Sequence, residues 1–230
     1  MTVDLAVIEH APEGPERKPP LLVAHGLFGA ARNFNSLGKR LADGRRVLLA
    51  DMRNHGDSPW DAEMSYPAMA DDLAAVIRAR AGGRAAVLGH SMGGKAAMAL
   101  ALREPGLVAG LIVADIAPVD YAHSHEGYVA AMRSLDLSRV SRRSDADPML
   151  AEAVPEPPLR AFLLQNLELA GGEARWRLNL AAIAANMGNL LAFPEALRDR
   201  RYAGPALFLH GTASGYVTGA HHAAIRALFP

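Results

Sequence analysis

Midway along the chain, Gly89-His90-Ser91-Met92-Gly93-Gly94 follows the short apolar run Ala85 to Leu88 and opens a helical pattern over Ser91 to Arg103, with Ala96, Ala99, Leu100 and Leu102 on one face. A serine hydroxyl becomes a useful nucleophile only with exposure, a base and a place for the charge that develops on an attacked carbonyl. The spacing here provides the first and the third. A strand turning directly into a helix bends so sharply that the flanking positions must be nearly free of side chain, and Gly89 and Gly93 stand two residues to either side of Ser91. The helix then aims its free N–H groups and the positive end of its dipole at the serine. This suits acyl transfer through a tetrahedral oxyanion, with Ser91 as candidate nucleophile. The bland alternative is a tight glycine turn.

An oxyanion hole needs two donors from separate segments. Upstream, the apolar run Leu21 to Ala24 ends in His25-Gly26-Leu27-Phe28-Gly29, whose glycines allow close approach to a ligand. The backbone N–H of Leu27 and that of Met92 are the expected pair, with Phe28 as the substitute for Leu27. His25, at the strand end, suits bracing of the loop better than proton transfer.

These residues need a scaffold that brings strand ends together. Short apolar runs ended by turn residues recur at Leu21 to Ala24, Val47 to Ala50, Ala85 to Leu88, Leu111 to Ala114 and Ala206 to Leu209, and they read as buried strands. Helical patterns lie between them, including Met69 to Ala81. Strand and helix in alternation predict an α/β fold with a mostly parallel sheet flanked by helices. The alternation stops after Ala114 and resumes at Ala206. The interval is expected to be a helical cap, residues 118–203, inserted into a core formed by 1–117 and 204–230. Its predicted helical stripes are Leu159, Phe162, Leu163, Leu167 and then Trp176, Leu180, Ile183, Met187, Leu190, Leu191, with Pro148, Pro155, Pro157 and Pro158 interrupting helices. The stripes suit short to medium acyl chains, although core packing is the ordinary role of such faces.

Composition narrows the function classes. In 230 residues, 24 Lys and Arg balance 24 Asp and Glu, so no long-range field favours nucleic acid or an anionic membrane. The absence of cysteine excludes disulfides, thiolate metal sites and a cysteine nucleophile. Neither a basic-then-apolar leader nor a membrane-length apolar run occurs, so a soluble, cytoplasmic protein without a membrane partner is expected.

Four blocks carry a resemblance: His25 to Gly29, Asp51-Met52-Arg53-Asn54-His55-Gly56-Asp57-Ser58, Gly89 to Lys95, and Asp115-Ile116-Ala117-Pro118-Val119-Asp120-Tyr121. Through them the chain resembles the α/β-hydrolase superfamily, and within it the small bacterial serine carboxylesterases of the YbfF type. The resemblance implies hydrolysis of a small-molecule carboxylic ester through an acyl-enzyme, with no metal and no organic cofactor. It also bears on the triad acid. Most members carry that acid in a G-x-x-D pattern after a later strand, where this chain has Gly211-Thr212-Ala213-Ser214. A neutral hydroxyl cannot stabilise an imidazolium as a buried carboxylate does. The YbfF-type group places its acid one strand earlier, which implies Asp115, with Asp120 as the less favoured neighbour. Asp51, His55 and Asp57 correspond to turn architecture.

The base is the missing part. The family order is serine, acid, histidine, with the histidine after a last strand, and here the sequence stops at Phe229-Pro230. A strand, a histidine loop and a helix, about 20 to 30 residues, are expected to be absent. His221 and His222 are the late substitutes. An alternative follows from this: a crippled hydrolase scaffold that binds an acyl ligand without turning it over. A nucleotide hydrolase is the remaining alternative, because Gly89 to Lys95 satisfies G-x-x-x-x-G-K, but Ala96 lacks the hydroxyl that a magnesium ion needs there. Thioesters, lactones and activated amides share the same tetrahedral chemistry.

Overall fold

The computed structural model describes residues 1–122 and 125–230. Its strands are β1 (Val7–His10), β2 (Leu21–Ala24), β3 (Val47–Ala50), β4 (Ala85–His90), β5 (Val108–Ala114), β6 (Leu167–Ala170), β7 (Glu173–Trp176) and β8 (Ala206–Leu209). Six form one sheet in the order β1-β3-β2-β4-β5-β8, parallel throughout except for β1, which runs antiparallel to β3. The helices are α1 (Asn35–Leu41), α2 (Tyr66–Arg80), α3 (Met92–Arg103), α4 (Glu126–Ser134), α5 (Arg143–Leu150), α6 (Pro157–Leu164), α7 (Leu180–Ala185), α8 (Met187–Leu191) and α9 (His222–Leu228).

Strands β2 and β3 are buried on both faces, which explains their unbroken apolar runs. Alternate residues serve two cores: Leu22, Ala24, Leu48 and Ala50 pack with α2 and α3, and Leu21, Val23, Val47 and Leu49 pack with Ala31 and Ala42 around α1. Full burial of each such leucine or valine is worth roughly 1.5–3 kcal/mol. Helix α3 is buried from Met92 to Leu102, and its alanines at 96, 97, 99 and 101 let it lie close against both sheet and α2. Helix α2 begins three residues before its expected start, because Ser65 caps it by accepting a bond from the Ala68 N–H and Pro67 fits the first turn.

Three expectations fail. No strand was expected between Ala114 and Ala206, yet β6 and β7 form a hairpin there, with Leu167 opposite Trp176. Gly171 and Gly172 both have positive φ, the signature of a two-residue hairpin turn, so Leu167 and Trp176 leave the helical stripes assigned to them. Pro157 and Pro158 open α6 rather than break a helix, and Pro148 lies inside α5. Strand β8 is not buried: it pairs with β5 alone, and Leu207 and Leu209 are about half exposed, at 50% and 49%. Strand β1 carries no clear signal, because as an edge strand it is only partly buried. Among the described residues, no helix is long and apolar enough to cross a membrane.

Candidate active site

Parallel strands deliver their carboxyl ends to one edge of a sheet, and β2, β4 and β5 are neighbours in that edge. His90 pairs with Ala114 in the β4–β5 register, so Ser91 and Asp115 each lie one residue beyond a paired couple. The backbone fixes both. Ser91 donates its N–H to the Ala114 carbonyl at 2.9 Å, and Asp115 donates its own to the Leu209 carbonyl at 2.7 Å.

Four non-glycine residues have positive φ among those described: Phe28 (61°), Asn54 (66°), Ser91 (50°) and Asp115 (58°). Three of them stand at this edge. Such conformations cost about 1–3 kcal/mol each and persist only where the surroundings over-determine them. At the serine, the surroundings are glycines: a Cβ on Gly89 would collide with the Gly93 carbonyl, and one on Gly93 with the Ala24 carbonyl. Those obstacles are backbone and cannot turn aside. The elbow therefore depends on both glycines.

The two possible upstream donors are separated by a buried histidine. His55 donates from Nδ1 to the Arg53 carbonyl at 2.9 Å, and its Nε2 accepts the Phe28 N–H at 3.2 Å. Phe28 is thereby committed, whereas the N–H groups of Leu27 and Met92 have no partner among the described residues. His25 is the same kind of brace. Its Nδ1 donates to the Gly26 carbonyl and its Nε2 accepts the Met52 N–H, both within 2.9 Å. Burial lowers His25 to about 4 and His55 to about 3, so both are neutral at ordinary pH. Asp51 accepts the N–H groups of Ala31 and Asp57, which places it in the turn rather than at Ser91.

Asp115 points a buried Oδ1 that accepts no hydrogen bond among the described residues. Burial raises the phenols of Tyr121 and Tyr216, and the Asp115 carboxylate adds to the rise in both. Asp120 lies elsewhere, bonded through both oxygens to Arg198 and to the Phe193 N–H. Ser214 bonds the Tyr216 N–H in its own turn. Of the late histidines, His221 accepts the Thr218 N–H and lies edge-on to Tyr121 at 6.1 Å, while His222 is exposed; neither lines a cavity at Ser91.

Two cavities open on Ser91, sharing Leu27 and His125 as well. One, of about 350 Å³, runs past Phe28, Phe34, Tyr128, Leu159 and Phe162. The other, of about 40 Å³, is walled by Tyr66, Lys95, Tyr121, Met187, Leu190 and Leu191. Sequence reasoning missed His125, Tyr66 and Lys95 as wall residues and His55 as the group that orders the Leu27 loop. Only tertiary packing brings them together.

A mostly parallel sheet whose central strand ends in a strained, glycine-flanked serine defines the α/β-hydrolase class. The chain belongs to that family: residues 19–230 match the family model described as alpha/beta hydrolase fold. It is 43% identical to the mouse sn-1-specific diacylglycerol lipase ABHD11 over 226 residues, covering 95% of this chain and 73% of the mouse protein. Esterase YbfF of Escherichia coli is 34% identical over 212 residues, covering 92% of this chain and 81% of YbfF. The solved structure of a marine microorganism esterase superposes with a TM-score of 0.92 at 36% identity, covering all of this chain and 88% of that one. The chain is thus a hydrolase enzyme of the YbfF type.

Proposed function

We propose that this protein cleaves carboxylic esters through an acyl-Ser91 intermediate. The observation that carries the reading is the strained Ser91 at the sheet edge, flanked by two backbone N–H groups without partners among the described residues. In the forward step, Ser91 Oγ attacks the ester carbonyl while the base histidine that the family order implies after the acid, oriented by Asp115 Oδ1, takes its proton. The carbonyl oxygen becomes an oxyanion held by the Leu27 and Met92 N–H groups. The C–O bond to the alcohol then breaks, and the imidazole returns its proton to the leaving oxygen. Water repeats the sequence on the acyl-enzyme, releasing the acid and restoring Ser91. Asp115 suits the acid role because it keeps a buried oxygen open to an N–H donor. We assign the base to neither His221 nor His222, since neither reaches the serine cavities.

Residues 118–203 act as the cap in this proposal, supplying Tyr121, His125, Tyr128, Leu159, Phe162, Met187, Leu190 and Leu191 to the cavity walls. Their apolar surface suits short to medium acyl groups. The relatives' names, esterase and lipase, favour turnover over a binding-only scaffold.

The test is chemical labelling alongside mutation. A fluorophosphonate should modify Ser91 alone, and Ser91→Ala should abolish both labelling and p-nitrophenyl ester hydrolysis while unfolding remains cooperative. Labelling at a different serine in the wild type would refute the assignment.

A further inference from the structure

Lys95 lies one helical turn beyond Ser91 on α3 and is 1% exposed. A buried ammonium is expensive unless its protons and charge are met. No ion pair meets it among the described residues, and Asp120, whose charge reaches it, is committed to Arg198 and Phe193. What meets it is the cap. Nζ donates to the Leu191 carbonyl at 2.7 Å and the Ala192 carbonyl at 2.9 Å, the last residue of α8 and the one after it. The rings of Tyr121 and Tyr66 face it at 4.9 and 5.5 Å, within cation–π range. Orphan carbonyls at a helix end are natural acceptors for a cation.

The same α8 supplies Met187, Leu190 and Leu191 to the smaller cavity, whose 40 Å³ holds only a few water-sized groups. Its width therefore depends on how closely α8 sits against α3. We propose that Lys95 is a specificity-determining positioning residue, whose ammonium clamps the end of α8 against the nucleophile helix and limits the ester substituent on that side to a few carbons. This rests on the ester-hydrolysis reading above.

The clamp is sensitive to charge. Burial lowers Lys95 to about 7, with Asp120 raising it and Arg198 lowering it. The other titratable groups facing it are Tyr66, raised by burial, and Tyr121, raised by burial and then lowered in part by the Ala117 N–H; His125 lines the same cavity. Deprotonation removes the cation–π contacts and weakens both carbonyl bonds. Discrimination by chain length should relax as pH rises through about 7.

The experiment measures kcat/KM from about pH 5.5 to about pH 9 for two ester series, one lengthening the acyl group and one the alcohol. Wild type, Lys95→Met and Lys95→Arg are compared by the ratio of long to short substrate, in which Ser91 and its base cancel. In one series, which identifies the group entering the small cavity, the wild-type ratio should be lowest at acid pH and rise through neutrality. Lys95→Met should raise it at every pH, by roughly tenfold or more, the lower bound for excluding a methylene. Lys95→Arg should keep it low to the alkaline limit. Equal profiles for wild type and Lys95→Met in both series, or a wild-type ratio flat with pH, would overturn the proposal. Should Lys95→Met fail to fold, the wild-type and Lys95→Arg profiles still decide. Failure of the underlying reading is distinct: wild type would hydrolyse neither series, or Ser91→Ala would hydrolyse both.

Discussion

At the sheet edge, Ser91, Asp115 and Phe28 are held by backbone: paired strand ends, positive φ angles and glycines that admit no Cβ. Over residues 118–203, attachment to the core runs largely through side chains, among them Asn166 Nδ2 to the Phe28 carbonyl at 2.7 Å, Arg177 to Asp57, and Lys95 Nζ to the Leu191 carbonyl, beside one backbone bridge between His55 and Leu178. Backbone-fixed groups cannot drift without unfolding a strand, whereas a side-chain tie can be cut singly. A residue on the first frame and one on the second can therefore be changed independently. This contrast makes separable predictions.

The largest effect belongs to the edge. Asp115→Asn keeps the shape but removes the charge that the proposed mechanism uses to orient and stabilise an imidazolium, and kcat should fall by about 10⁴, as in the best-studied triad. Ser214→Ala, at the last position of the segment where a G-x-x-D pattern would put the acid, should leave kcat within a few-fold. The reverse ranking would move the acid to the Ser214 turn.

Next is acid stability, which probes the braces beneath the edge. His25 and His55 are held neutral when folded, at about 4 and about 3, against 6.5 for the ordinary imidazole. Below pH ~6.5 the unfolded chain binds protons that the folded chain refuses, so stability is full above that value and is lost as pH falls toward the folded values. Together these two sites contribute a limiting slope of about 2.7 kcal/mol per pH unit, to which His90, also lowered by burial, adds. Lys95 acts only above about 7, so urea unfolding between about pH 6.5 and 5 isolates the histidines. His55→Gln should lower the slope by up to about 1.4 kcal/mol per pH unit; an unchanged slope would mean that His55 already charges in the folded state.

How much of this was legible in the sequence follows the same division. The runs that became β2 and β3 announce themselves because both faces are buried, and the elbow announces itself because only glycine fits beside Ser91. The cap was read with the wrong period: Leu167 and Trp176 face each other across a strand pair closed by Gly171-Gly172, and their spacing mimicked a helix. Lys95 was legible only as a lysine in a failed phosphate motif. Its partners, Leu191 and Ala192, are almost a hundred residues away, and local patterning holds no record of such a contact. His55 was legible as turn architecture, but its hold on the Phe28 N–H, which leaves the Leu27 N–H unbonded among the described residues, depends on the packing of two loops.

The smallest expected effects test the cap ties against one another. The Asp57 carboxylate is 75% exposed and its partner Arg177 23%, so the pair faces solvent screening and the entropy of holding two side chains in place. Asp57→Asn should cost under ~1 kcal/mol by urea titration and leave kcat/KM nearly unchanged, because the Asp57 backbone N–H still bonds Asp51. Asn166 is the informative contrast. It is buried, and truncation to Ala would strand the Phe28 carbonyl, at a cost of about 1–3 kcal/mol. Because Phe28 follows Leu27 directly, that loss should also reach the proposed oxyanion donor and lower kcat, while Asp57→Asn should not. A cap held by many equivalent surface contacts would instead give two variants of equal, small effect, and the distinction between a buried tie to the edge and an exposed one would fall.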